Sequence, residues 1–355
     1  MVPSQIQTWQ MTEPGKLARI SIPVPALTSD EALVEITGCG VCHTDISYLY
    51  MGVPTEQKPP LTLGHEISGV VVAGPARLVG KEVLVPAVMP CNNCDICRSG
   101  RSNRCLGQKM PGNSLGIYGG FASHIPVPAA DLCVVGDRKG MPLAWASVIA
   151  DAVTTPYQAA LRARIQAGDR VIVIGAAGGV GSFMTQIAKA MGAGTVIGID
   201  INEQKLKLME QYGADFTINP KGKSVKEMRE AVKAYAKERR IPGNWGWKIF
   251  EVTGTKAGQE LALALLAFVG TLVVVGYGTD QTQYMLSRLM AFDAEIIGTW
   301  GCPPKYYADV VKMCIDGRIA LEPFVELRPM STIEKVLHDA HDGLLSRRVI
   351  LTPDF

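Results

Sequence analysis

The chain has 355 residues, more than one hydrophobic core usually serves, so two domains are expected. Hydrophobic residues make up 47% and charged residues 19%, which excludes a disordered chain, and a formal net charge of +2 excludes the basic surface of a general nucleic-acid binder. The opening MVPSQIQTWQM lacks the basic start and apolar run of a signal peptide, and no stretch offers the roughly 18 uncharged apolar residues of a membrane span, so a cytoplasmic protein with no membrane partner is expected.

Residues 18–128 are short apolar runs broken by Gly and Pro, such as EALVEITG, GHEISGVVVAG and KEVLVPAV. Their alternation and β-branched content predict an irregular β-rich unit. From Ser147 the texture changes. DRVIVIG at 169–175 predicts a buried strand that runs into a glycine-rich turn, and residues 180–191 carry apolar side chains at helical spacing with Gly192 as the stop. A strand over 195–199 ends at Asp200 and precedes another helix, and further strands are predicted at 247–252 and 271–275. Such alternation implies a parallel sheet covered by helices on both faces. Residues 221–240, rich in Lys, Arg and Glu, predict a solvated helix docked through a sparse stripe of Val225, Met228, Val232 and Tyr235. A helix over 305–314 and a closing strand over 348–351 follow.

Three constellations carry chemistry. Four of the nine cysteines, Cys91, Cys94, Cys97 and Cys105, fall in one short window, and a reducing compartment argues for metal over disulfides. Four thiolates from one lobe suit a closed tetrahedral zinc site with no place for substrate; similar spacings also ligate [4Fe–4S] clusters, so both ions stay open. The second constellation is Gly175-Ala-Ala-Gly178-Gly179-Val180-Gly181, with Asp200 19 residues after Gly181. Glycines between strand and helix let the backbone approach a pyrophosphate at the helix N-terminus. Asp200 would accept hydrogen bonds from a ribose and repel a 2′-phosphate, which favours NAD over NADP. The third is scattered: Cys42-His43-Thr44-Asp45 and Gly64-His65-Glu66. Their Cys and His are good zinc ligands, but each alone is more often core packing than a ligand.

Taken in this order, the GHE segment, the four-Cys lobe and GAAGGVG resemble the zinc-containing medium-chain alcohol dehydrogenases over nearly the whole chain. The resemblance implies a Rossmann coenzyme domain at 153–300 and a β-rich, chaperonin-10-like catalytic domain from 1–152 and 301–355. It implies two zinc ions per chain, one catalytic and one structural, with NAD as coenzyme. The catalytic ligands implied are Cys42, His65 and Asp151, with Asp151 at a place where many members carry Cys. Glu66 would stand behind them or enter as a transient fourth ligand, and the four cysteines would hold the structural ion. Thr44 resembles the hydroxyl that takes the alcohol's proton, and His43 the residue that touches the coenzyme pyrophosphate. Gly178, Gly179, Val180, Gly181, Asp200 and Lys205, with Val252, Val275 and Tyr277 from later segments, are the coenzyme contacts implied. Ser47 stands where many relatives place the His that completes the proton path, a departure that leaves the end of that path open. The resemblance also implies a homo-oligomer, dimer or tetramer, and extends to members that oxidise a cyclic secondary alcohol carried as a CoA thioester. A general secondary alcohol dehydrogenase is the alternative. A zinc-free enone or quinone reductase of the same superfamily is disfavoured by Cys42, His65 and Asp151 together.

Overall fold

Strand structure begins before residue 18. In a computed structural model that describes residues 2–355, QIQTWQMTE forms β1 (Gln5–Glu13), which turns at Gly15 into β2 (Lys16–Pro23). Sequence patterning conceals β1, because Thr8 and Gln10 are buried on the same face as Ile6. Thr8 is satisfied by a 2.5 Å hydroxyl contact with Thr62. The chain continues through β3 (Glu31–Gly40), α1 (His43–Tyr50), β4 (Leu61–Thr62), β5 (Glu66–Ala73) and β6 (Glu82–Val85). After the cysteine lobe, which holds α2 (Asp95–Arg98), come β7 (His124–Pro128), β8 (Cys133–Val134) and α3 (Leu143–Ala146).

The chain divides into two units. The first takes residues up to Thr154, Gly301–Gly317 and Leu321–Phe355; the second takes Thr155–Trp300 and Arg318–Ala320. The second unit follows α4 (Thr154–Arg162) with β9 (Arg170–Ile174), α5 (Gly181–Ala190), β10 (Thr195–Ile199), α6 (Glu203–Gln211), β11 (Phe216–Ile218) and α7 (Val225–Arg239). It ends with β12 (Trp247–Glu251), α8 (Lys256–Leu265), β13 (Thr271–Val274), α9 (Ser287–Phe292) and β14 (Glu295–Gly298). All pairs are parallel, in the order β11-β10-β9-β12-β13-β14. This is the doubly wound Rossmann order, which reverses between β9 and β12 and leaves a crevice at their carboxyl ends. Its core gathers Ile172, Ile197, Ile249 and Leu272 from the sheet with Met228, Val232 and Tyr235 from α7. Val225 does not join that stripe: it is 42% exposed at the first position of α7, next to the Ser224–Glu227 capping box.

The first unit is completed by α10 (Tyr307–Ile315), β15 (Val325–Pro329), α11 (Ile333–His341) and β16 (Arg348–Thr352). Its larger sheet runs β15-β16-β3-β5-β6-β8, with β7 also paired to β3, and a smaller sheet runs β2-β1-β4. The core includes Leu33, Ile36, Leu63, Ile67, Phe121, Ile125, Val349 and Leu351. Pairing of β16 with β3 brings the end of the chain beside the segment that leads into Cys42. Among the described residues no helix is long and apolar enough to cross a membrane.

Candidate zinc and coenzyme sites

Cys42 sits between β3 and α1, where the Val41 N–H donates to the Val349 carbonyl at 2.9 Å. Asp45, in the first turn of α1 and 1% exposed, fastens this corner. Its Oδ2 accepts the Cys42 N–H and its Oδ1 accepts the Gly64 N–H, each at 3.0 Å. Oδ1 also lies 3.4 Å from His65 Nδ1, which turns Nε2 toward Asp151, 3.5 Å from its Oδ2. Cys42 Sγ is 3.7 Å from the same oxygen. Ligand atoms of Cys42, His65, Glu66 and Asp151 all lie within 4.8 Å of one another. Zinc–ligand bonds of about 2.0–2.3 Å in a tetrahedron give ligand–ligand edges of roughly 3.3–3.8 Å, so these spacings suit one zinc ion. The electrostatics agree. Burial alone would lower the His65 pKa, but the carboxylates of Asp45 and Asp151 outweigh it and raise the pKa well above the ordinary value, so the surroundings favour positive charge there.

Glu66 is fully buried. Burial pushes its pKa up, and Arg348 opposes that shift. The guanidinium grips both carboxylate oxygens, Nε on Oε2 at 2.8 Å and Nη2 on Oε1. Gly40 makes room for the pair, because a Cβ there would lie 2.0 Å from Glu66 Oε2. The Thr44 hydroxyl is 3.7 Å from Cys42 Sγ. His43 is its neighbour in the first turn of α1, where burial and then His341 lower its pKa. The Ser47 hydroxyl donates back to the His43 carbonyl at 3.0 Å and is 2% exposed, so it closes on its own helix and does not continue a path outward.

The second metal candidate is the cysteine lobe. Sulfur–sulfur distances are 3.4 Å for Cys91–Cys105, 3.5 Å for Cys94–Cys97, 3.8 Å for Cys94–Cys105 and 3.9 Å for Cys91–Cys97. Disulfides would need about 2.05 Å, whereas four thiolates at about 2.3 Å from one central ion stand about 3.8 Å apart. A four-iron cube would hold its thiolates at separate corners and not in mutual contact, so the geometry selects zinc over the iron–sulfur alternative. Without a cation the sulfurs divide their charge unevenly. The Asn93 N–H and the Cys105 thiol bring Cys91 down to about 6, while burial and the neighbouring thiols push Cys97 up to about 12.

In the Rossmann unit, Gly175 follows β9 with φ +89°, and Gly181 opens α5 so close that a Cβ would meet the Gly175 carbonyl at 1.8 Å. Only glycine permits that approach of loop to helix. Asp200, at the end of β10, accepts the Ala177 N–H on Oδ2 and the Asn202 N–H on Oδ1, both at 3.0 Å. Asn202 in turn caps α6 by accepting the Lys205 N–H at 3.0 Å, which places Lys205 in the first turn of that helix. Gly178, Gly179, Val180 and Gly181 are thus tied through Ala177 to Asp200 and the start of α6. Val252 and Val275 lead out of neighbouring strands, where the Val252 N–H donates to the Ile174 carbonyl at 3.0 Å and the Val275 N–H to the Glu251 carbonyl at 2.9 Å. Further on, a Cβ on Gly254 would lie 2.1 Å from the Tyr277 carbonyl, so the two backbones touch. Glu251, fully buried, holds this loop by accepting the N–H groups of Thr253 at 2.8 Å and Gly254 at 3.1 Å.

Four of these residues escaped sequence reasoning. Asp45 stands three residues after Cys42, and that spacing is the signal of a capping interaction. Glu251 ends β12 in the segment FEVTG at 250–254, where an acid at the end of a strand carries no signal of its role. Gly40 and Arg348 carried no local signal; Arg348 is 282 residues from its partner.

Two family descriptions match the chain: the alcohol dehydrogenase GroES-like domain over residues 28–137 and the zinc-binding dehydrogenase over residues 179–316. An alcohol dehydrogenase of Geobacillus stearothermophilus is 30% identical over 335 residues, 93% of this chain and 94% of that protein. An NAD-dependent alcohol dehydrogenase of Sulfolobus acidocaldarius is 29% identical over 331 residues, 90% of each. The solved structure of acetophenone reductase from Geotrichum candidum in complex with NAD has a TM-score of 0.84 at 26% identity, over 99% of this chain and 98% of that one. A Rossmann unit on the same chain as a GroES-like unit with two zinc-compatible clusters defines a zinc-type medium-chain dehydrogenase. The chain belongs to the zinc-containing alcohol dehydrogenase family, and is an oxidoreductase that depends on zinc and a nicotinamide dinucleotide.

Proposed function

We propose that this enzyme oxidises a cyclic secondary alcohol to its ketone with NAD, and that the alcohol is 6-hydroxycyclohex-1-ene-1-carbonyl-CoA, oxidised to the 6-oxo product during anaerobic aromatic degradation. The convergence of Cys42, His65 and Asp151 within one zinc-sized tetrahedron carries the alcohol chemistry. The whole-chain resemblance, from MVPSQIQTW to SRRVILTPDF, supports the substrate. Its chemistry suits the direction, because an allylic alcohol becomes a ketone conjugated with the ring alkene and thioester.

In this reading Cys42, His65 and Asp151 hold the catalytic zinc, and Cys91, Cys94, Cys97 and Cys105 hold the structural one. Zinc, when bound, supplies Lewis acidity to the alcohol oxygen, and NAD supplies the hydride acceptor. Thr44 Oγ1 would accept the hydrogen bond of the substrate hydroxyl and act as a relay, donating its own proton onward toward solvent as it takes the substrate's. Arg348 opposes the upward shift that burial gives Glu66, and release of one of its two hydrogen bonds would offer a carboxylate oxygen as a further ligand. The N–H groups of Gly178–Gly181 would receive the pyrophosphate, and Lys205, in the first turn of α6, would lie on the same coenzyme. Asp200 keeps free lone pairs for ribose hydroxyls and repels a 2′-phosphate, while Val252, Val275 and Tyr277 flank the bound dinucleotide. Residues 1–152 and 301–355 then serve as the catalytic domain and 153–300 as the coenzyme domain. Exposed Met285, Leu286 and Met290 around α9, beside the edge strand β14, support assembly with a second copy. Among the described residues the cysteines are free thiols, which supports a reducing compartment such as the cytoplasm.

The test is kinetic. The CoA thioester, its free hydroxy acid and cyclohex-2-enol are compared with NAD and full zinc. Binding energy from the CoA portion used in the transition state makes the thioester lead in kcat/KM by orders of magnitude. Equal efficiency for the small alcohol leaves a general secondary alcohol dehydrogenase and discards the CoA substrate.

A further inference from the structure

Of the residues grouped around the catalytic cluster, Asp151 has the least regular support. It follows the 3-10 turn Ser147–Ala150 and precedes α4, so its carboxylate lies where the preceding peptide is held. The Ala150 carbonyl accepts two hydroxyls: Thr154 Oγ1, at 3.1 Å, and the phenol of Tyr307. The phenol oxygen also accepts the Ala87 N–H at 3.1 Å. Tyr307 is 1% exposed, and Ala150 and Ala87 are buried as well. One side chain of α10, 157 residues beyond Ala150, therefore joins the Asp151 turn to the segment that follows β6.

We propose that Tyr307 is a positioning residue for the catalytic metal site, fixing the Ala150–Asp151 peptide so that the Asp151 carboxylate meets Cys42 Sγ and His65 Nε2. The proposal rests on the reading of Asp151 as a zinc ligand. With both lone pairs of the Ala150 carbonyl engaged, the peptide cannot rotate without breaking buried hydrogen bonds. Tyr307→Phe removes one donor, leaves the Ala87 N–H without its acceptor and frees the turn. The carboxylate then spends less time in the ligating position, and zinc leaves more readily.

The experiment follows release of zinc from the fully loaded, full-length enzyme to a colorimetric chelator. Asp151→Asn identifies the catalytic phase by removing it, and Cys94→Ala identifies the structural phase. Tyr307→Phe is expected to speed the catalytic phase roughly tenfold or more, as loss of a ligand's supporting hydrogen bond does elsewhere, with the structural phase unchanged. Ile6→Ala, a core truncation in β1, is the control for lower stability. If it speeds catalytic release as much at an equal loss of Tm, Tyr307 is only a packing residue and the proposal falls. Wild-type release from Tyr307→Phe, with the catalytic zinc gone from Asp151→Asn, overturns the positioning role and leaves the ligand reading standing. Retention of both zincs by Asp151→Asn overturns the ligand reading and the proposal with it. Should Tyr307→Phe fail to fold, Thr154→Val removes the other hydroxyl at nearly constant volume. A smaller acceleration of the same phase is expected, and none would overturn the proposal.

Discussion

Arg348→Met is expected to destabilise the zinc-free enzyme by about 3–5 kcal/mol, the usual cost of removing one partner from a buried ion pair. Arg348 and Glu66 are 6% and 0% exposed, and the guanidinium engages both carboxylate oxygens. At a charge separation near 4 Å and an effective dielectric of about 20, their attraction is roughly 4 kcal/mol, against 0–1 kcal/mol for an exposed pair. Substitution leaves the Glu66 carboxylate without a cation in a site where burial already pushes its pKa up. The sign of the pH dependence follows. A folded-state pKa raised above the unfolded one means that ionisation costs stability as pH rises, so the deficit of the variant shrinks as pH is lowered. Adding zinc shrinks it too, because a dication beside Glu66 replaces part of the lost charge. The assay is urea unfolding of wild type, Arg348→Met, Glu66→Gln and the double variant, followed by tryptophan fluorescence. The double variant should regain much of the loss, since neither member of the pair then carries a buried charge. A deficit below about 1 kcal/mol, the range of an exposed pair, or no regain in the double variant, refutes this account.

Further expectations concern separate parts of the molecule. Cys94→Ala opens the four-sulfur site and forfeits metal-linked folding energy on the order of several kcal/mol. Metal analysis should show one zinc per chain and calorimetry a lower Tm; two zincs at an unchanged Tm would exclude a structural site. The wild type should prefer NAD over NADP at least tenfold in kcat/KM, about 1.4 kcal/mol, and Asp200→Ala should erode that preference, whereas equal wild-type use of the two coenzymes would remove the role of Asp200. At the surface, hydrogen bonds from Lys312 and Lys139 hold the Asp316 pKa down at about 2 from an ordinary 3.8. A depressed folded-state pKa gives stability that is present above 3.8 and lost as pH falls toward 2. Asp316→Asn should therefore lower Tm slightly at neutral pH and leave it unchanged near the acid end of that window; a gap that persists there contradicts the pairing.

The Rossmann unit is legible because its signals are local. RVIVI and TVIGI are apolar over the length of a buried strand, and the predicted strand at 195–199 coincides with β10. The helix expected over 180–191 is observed as Gly181–Ala190, stopped at the glycine that the sequence offers. The β-rich unit is harder to read, because its pairings are distant and its alternation is broken. Thr8 and Gln10 are polar yet buried in β1, and β16 reaches β3 across most of the chain. No short window contains either fact.

The site divides along the same line. Zinc accepts few atom types, so thiolates and imidazoles at characteristic spacings announce themselves, as Cys42, His65 and the four-Cys lobe do. Asp151 shows the limit: a carboxylate before a helix has many uses, and only resemblance singled it out. The residues that aim the ligands are less constrained still. A carboxylate orients His65, a guanidinium grips Glu66, and a phenol pins the peptide before Asp151. Any donor or acceptor of adequate reach could do each of these things, so residue type alone carries little information about them. What qualifies Arg348 and Tyr307 is the return of β16 and α10 into the first unit, which delivers both side chains buried and with their hydrogen bonds already committed.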